Sequence, residues 1–117
     1  MKNLESTRSR YLRDATSTRL GGLAANLARV ASFSQNDDHR QAVSATMHES
    51  RWFIEWTAAE LSFEDTAELV GLQLQLARWE IQSKDKWGNE RWRQDLMNES
   101  RRWSERLLGM SGLLQTS

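Results

Sequence analysis

Proline is absent from all 117 residues of this chain, and only six residues are glycine. Both residue types interrupt helices and form turns, so a chain this poor in them has few places at which a helix must end. Apolar residues recur at helical spacing through most of the sequence, without the strict alternation or hairpin dipeptides of strands. The sequence therefore predicts an all-α protein, a compact antiparallel bundle of four helices joined by short loops.

Turn and cap signals divide the chain into helical segments of about 3–34, 38–61, 63–83 and 90–112. In the first segment the apolar stripe rotates at Gly21-Gly22, which predicts a kink there, or a break that would give the bundle five helices. Ser62 followed by Asp65 approximates a capping box and marks the start of the third segment.

The length predicts a single domain over 1–117, with a frayed tail over about 113–117. The absence of cysteine excludes a disulfide framework, cysteine-ligated zinc and thiol catalysis. No apolar run has signal-peptide length, and none approaches the ~18 residues needed to span a bilayer. We therefore expect a cytoplasmic, soluble protein that makes no membrane contact.

The second and third segments each carry two apolar stripes on a wheel of about 100° per residue. In the second segment, Trp52 and Trp56 lie opposite a stripe formed by Val43, Met47, Ile54 and Leu61. In the third segment, one stripe consists of Val70, Leu74, Ala77 and Ile81. The other stripe of that segment consists of Leu69, Leu72, Leu76 and Trp79. Two stripes on one helix predict two neighbours.

Three interpretations of the second stripes stay open. Both helices are central in the domain, or the second stripes contact another chain, or the tryptophans line a ligand pocket. Aromatic residues and arginine are enriched at protein interfaces, which favours a second copy or another helical protein as partner in the second case. The candidate partner-interface residues are then Trp52, Trp56, Leu69, Leu72, Leu76 and Trp79.

Arginine precedes tryptophan four times, at 51–52, 78–79, 91–92 and 102–103. Adjacent residues on a helix point about 100° apart, so the pair indicates a packed tryptophan beside a surface arginine. Arg51 and Glu55 have the spacing of a surface ion pair worth about 0.2–0.5 kcal/mol.

The residues offer little for catalysis. His48-Glu49 fails the zincin pattern because position 52 is Trp, and His39 lies 2.5 turns upstream on the opposite face. There is no glycine-rich phosphate loop and no nucleophile elbow. We expect no cofactor and no metal site.

Glu64, Asp65 and Glu68 resemble the E-E-x-x-E half-motif of the all-alpha nucleoside-triphosphate pyrophosphatases, which are helical Mg²⁺ enzymes. The resemblance covers five residues and has Asp at the second position. The family's following E-x-x-D is missing, because no Glu precedes an Asp by three residues. The resemblance implies a Mg²⁺-dependent enzyme as the alternative function, although acidic residues are also typical of a helix N-terminus.

The net charge is zero, distributed as +4 over residues 1–35, −6 over 36–82 and +2 over 83–117. Nucleic-acid contact through the basic first helix is a further alternative. Its arginines are spread around the helix rather than gathered on one face, which disfavours such binding. The sequence thus predicts a non-catalytic interaction or structural module, a homodimer or the partner of another helical protein.

Overall fold

All regular structure in the described part of the chain is helical. A computed structural model describes residues 3–112. Its α-helices are α1 (Leu4–Leu12), α2 (Thr16–Phe33), α3 (Arg40–Thr57), α4 (Phe63–Lys86) and α5 (Glu90–Ser111). Two 3₁₀ turns, Asp37–His39 and Ala58–Glu60, flank α3. The predicted all-α bundle is confirmed. The predicted frayed tail over 113–117 lies outside the described residues.

Helix α2 occupies the centre of the bundle, with α3 on one side and α5 on the other. Ser104 Oγ donates a 2.8 Å hydrogen bond to the Ala24 carbonyl, so α5 lies directly against the α2 backbone. Helix α4 packs mainly on α3 and contacts α5 only lightly. Within residues 3–112, one side of α4 therefore lacks a neighbouring helix.

A single apolar cluster holds the four long helices together. The predicted inner stripe of α3 is confirmed for Val43, Met47 and Ile54, which are buried, whereas Leu61 is half-buried at the edge. From the other helices the cluster receives Leu20, Leu23, Leu27, Val30, Leu69, Leu72, Leu76, Trp79, Leu96 and Leu107.

The predicted break at Gly21-Gly22 is wrong, because α2 continues through both glycines. A Cβ added at Gly22 would meet no atom of residues 3–112 within 4 Å, so no close approach among them requires a glycine there. The apolar stripe rotates because α2 is central and packs against two helices. The first segment is broken earlier, at residues 13–15, where Ala15 is extended and the Asp14 carbonyl accepts from Arg19 Nε at 3.1 Å.

The start of α4 is set by the predicted cap. Ser62 Oγ accepts a 3.2 Å hydrogen bond from the Asp65 backbone N–H, and Glu64 and Asp65 lie in the first turn. From this cap the helix runs without interruption for 24 residues. It therefore presents one long outer side.

Candidate partner-contact surface

The outer side of α4 is apolar along most of its length. Its large side chains are exposed, with fractions of 87% for Phe63, 43% for Val70, 64% for Leu74 and 68% for Ile81. Ala67 is also exposed and Ala77 is half-buried. We call this set, Phe63, Ala67, Val70, Leu74, Ala77 and Ile81, the outer stripe. Its spacings of four, three, four, three and four are those of a coiled-coil seam.

The opposite side of α4 faces the core. Leu69, Leu72 and Leu76 are fully buried, and Trp79 is 6% exposed. These four candidate interface residues are thus brought together, but inside the chain's own cluster. The sequence-based assignment of the two α4 stripes is reversed, since the stripe placed inside is exposed and the stripe placed at a partner is buried. A partner cannot reach the buried four without opening the bundle.

The two remaining candidate residues, Trp52 and Trp56, are half-buried on α3. Their rings stack with centroids 5.8 Å apart. Trp56 also contacts Tyr11 and Phe53, so it forms part of the packing between α1 and α3. Trp52 instead lines a shallow groove between α3 and α4, together with His48, Arg51, Glu55 and Gln73.

The groove at Trp52 is fixed by hydrogen bonds between α3 and α4. Arg51 Nη1 donates to Glu80 at 2.9 Å, and Gln73 Nε2 donates to Glu55 at 3.1 Å. The predicted Arg51–Glu55 pair is therefore wrong, because both side chains find partners on α4. These bonds cross-link the two helices and hold one flank of the outer stripe in place.

A second groove flanks the outer stripe on the α5 side. It is lined by Ala67, Glu68, Gly71, Gln75, Trp103 and Arg106. Arg106 donates to Glu68 at 3.1 Å, and its guanidinium lies 4.5 Å from the centre of the Trp103 ring. The outer stripe is thus a ridge between two shallow grooves, each with a half-buried tryptophan.

Two charged side chains beside the outer stripe lack a partner within residues 3–112, and Lys84 and Asp85 also lack one just past its C-terminal end. Glu64 and Arg78 are exposed and form no ion pair within residues 3–112. Both lie on the α5 flank of the stripe, at about +100° and +60° on a wheel where the stripe is centred on zero. Other charges on α4, such as Glu68 and Glu80, already pair with α5 and α3.

A buried polar network, which the sequence analysis missed, joins α1, α2 and α3 on another side of the molecule. The Tyr11 hydroxyl donates to the Arg19 carbonyl and accepts from Thr57 Oγ1, both at 3.1 Å. The buried Arg19 guanidinium donates to both carboxylate oxygens of Glu60 at 2.7 and 2.9 Å. The spacing of 41 residues between Arg19 and Glu60 gave no local signal for this pair.

The network shifts the ionisation of its members. Burial raises the pKa of the Tyr11 phenol to about 12. The hydrogen bond to Glu60 raises the pKa of Arg19, and the same bond lowers the pKa of Glu60. The ionised pair is therefore favoured at neutral pH, which suits a structural contact.

The acidic residues of the pyrophosphatase-like motif do not converge on one point. Glu68 pairs with Arg106, whereas Glu64 is exposed beside the outer stripe and Asp65 lies at the capped first turn. No group of three His, Asp or Glu side chains in residues 3–112 is arranged to hold a metal ion. Of the helices in the same range, none combines the length and apolarity needed to cross a bilayer.

No protein-family model, curated protein or solved structure matches this chain.

Proposed function

We propose that this protein is a non-catalytic interaction module that binds a helical protein through the outer stripe of α4. The observation that carries the proposal is a row of exposed large apolar side chains along a helix whose opposite face is already buried. Contiguous apolar patches on a surface mark contact sites, since exposing them to water costs free energy.

A protein partner suits this surface better than a lipid surface. Helices that lie on membranes carry lysine and arginine beside their apolar face. The polar positions of α4 carry mostly acidic and amide side chains in its first three quarters, and Arg78 is the first basic residue of the helix. Anionic lipid would be repelled by such flanks. A second helix with a matching apolar seam would cover the stripe and leave both grooves for its side chains.

The proposal is tested by photo-crosslinking inside the cells that make the protein. A benzophenone amino acid replaces Leu74 in the outer stripe, or Asn98 on the exposed side of α5 as the matched control. We expect adducts from position 74 and none from position 98, with the attached protein identified by mass spectrometry. Equal or absent adducts at both positions would show that the outer stripe is not a contact surface.

A further inference from the structure

We infer that the outer stripe binds the outer stripe of a second copy, with the two α4 helices antiparallel and related by a two-fold axis at the level of Leu72. This inference rests on the proposed function, and it adds the partner and the orientation. Four features carry it: the symmetry of the stripe, the unpaired charges, the cost of the parallel arrangement and the glycine beside the axis.

The outer stripe is symmetric about position 72. An antiparallel copy centred there places Phe63 against the partner's Ile81, and Ala67 against the partner's Ala77. It also places Val70 against the partner's Leu74 in the middle. Every layer of the seam is apolar, and each residue of the stripe finds one facing residue. The seam extends over 18 residue rises, or about 27 Å.

The same alignment pairs the unpaired charges. Glu64 lies eight residues before the axis and Arg78 six residues after it, on the same flank of the helix. The two-fold operation keeps this flank on one side of the dimer, so Glu64 faces the partner's Arg78 with an axial offset of about 3 Å. The symmetric contact repeats the pair, as an isologous interface requires. Both side chains are exposed and free of ion pairs within residues 3–112, as an isolated protomer should have them.

The parallel alternative lacks this complementarity. When two parallel helices are in register, a residue on the α3 flank of one helix faces the residue five positions later on the α5 flank of the other. Arg78 would then face the partner's Gln73, and Glu80 would face the partner's Asp85. The parallel pair thus gains no opposite-charge contact and leaves Glu64 and Arg78 unpaired, and it places Asp85 beside a Glu80 whose charge Arg51 already neutralises in part.

Gly71 supplies an observation independent of charge. A glycine inside a helix lowers its stability, and a Cβ at this position would meet nothing within 4 Å of the chain itself. Within residues 3–112 the fold of one copy therefore gives no reason for a glycine here, just as it gives none at Gly22 or Gly109. In the antiparallel dimer, Gly71 lies beside the axis and faces the partner's Gly71, where the absence of side chains lets the helices approach closely.

Charge reversal tests the orientation in the purified full chain, with mass measured by light scattering and helix content by circular dichroism. Glu64→Arg alone and Arg78→Glu alone each create two like-charge contacts, so we expect dimerisation to weaken about tenfold or more. An equimolar mixture of these two variants restores both attractive pairs and should form a 1:1 dimer. Glu105→Arg and Arg101→Glu, the same changes at exposed positions on α5, should leave dimerisation unchanged.

Cysteine pairing gives a second measurement, because the chain has no cysteine of its own. Mixed Val70→Cys and Leu74→Cys proteins should form a disulfide-linked heterodimer faster than either variant alone. Faster linkage of Val70→Cys with itself would mean a parallel pair and would overturn the inference.

The outcomes separate the inference from the function on which it rests. A dimer whose stability is unchanged by both charge reversals overturns the orientation. A monomer at every concentration overturns the second copy, while adducts between position 74 and a different protein would still support the proposed function.

Discussion

Tyr11 and Arg19 attach the two N-terminal helices to α3 through buried hydrogen bonds. Tyr11 also stacks on Phe53 with ring centres 4.1 Å apart, so one side chain provides both apolar packing and a polar link. Arg19 satisfies carbonyls in the α1–α2 corner and at the end of α3 while it binds Glu60. Removing the partner of such a buried donor or acceptor lowers the stability of the fold, because the polar group then stays buried without a hydrogen bond.

The phenol of Tyr11 should resist ionisation, and the chain's single tyrosine makes this measurable by absorbance near 295 nm. Its folded pKa of about 12 lies above the unfolded value of 10.0. The resulting contribution to stability is complete below the unfolded pKa and is lost as pH rises toward the folded pKa. We expect a titration midpoint well above pH 10 while the helices persist, and a midpoint near 10 after denaturation. A midpoint near 10 in the folded protein would contradict the buried network.

At the scale of the helices, much of the fold can be predicted from sequence. Ser62 and the acidic turn after it predict where α4 starts, because capping depends on residues close in sequence. The choice of stripe that faces inward depends on distant helices, and both stripes of α4 are apolar. One signal was available, since Leu69, Leu72, Leu76 and Trp79 remove more apolar area from water than Val70, Leu74, Ala77 and Ile81.

Two leucines of α4 provide a matched test of this placement. Leu72→Ala should lower the free energy of unfolding by about 2–5 kcal/mol, because it leaves a cavity in the core. Leu74→Ala, two residues away on the exposed side, should change it by less than about 0.5 kcal/mol. Urea unfolding followed by circular dichroism at high dilution compares the two variants. Similar losses would mean that both stripes are packed within one copy.

Replacing glycine by alanine should have opposite effects on stability at Gly22, inside the continuous helix α2, and at Gly112, at the end of α5. Gly22→Ala should stabilise the protein by about 0.5–1 kcal/mol, because alanine favours helix and the new methyl meets no neighbour within 4 Å. Gly112→Ala should destabilise it by about 1 kcal/mol, because Gly112 ends α5 with a φ of 75°. Thermal unfolding measures both changes. A destabilised Gly22→Ala variant would indicate a kinked α2.

At the scale of the whole molecule, the described residues form a body of 41 × 35 × 22 Å with α4 at its margin. The sequence predicted two neighbours for α4, and the structure supplies them on one side only, as α3 and lightly α5. The second side is the outer stripe, where contact with another molecule would supply the second predicted neighbour. In the proposed dimer the facing residues belong to another copy, so the helical pattern of one chain could not predict which residues meet.

The most direct test is the molar mass of the full chain in solution, measured by light scattering from about 1 µM to about 100 µM. We expect the mass to approach twice the 13.6 kDa of one chain as concentration rises. Leu74→Glu should remain at 13.6 kDa with unchanged helix content, because it places a charge in the centre of the seam without touching the core. A wild-type chain that stays at 13.6 kDa throughout, or a Leu74→Glu variant that dimerises equally well, would contradict self-association through the outer stripe.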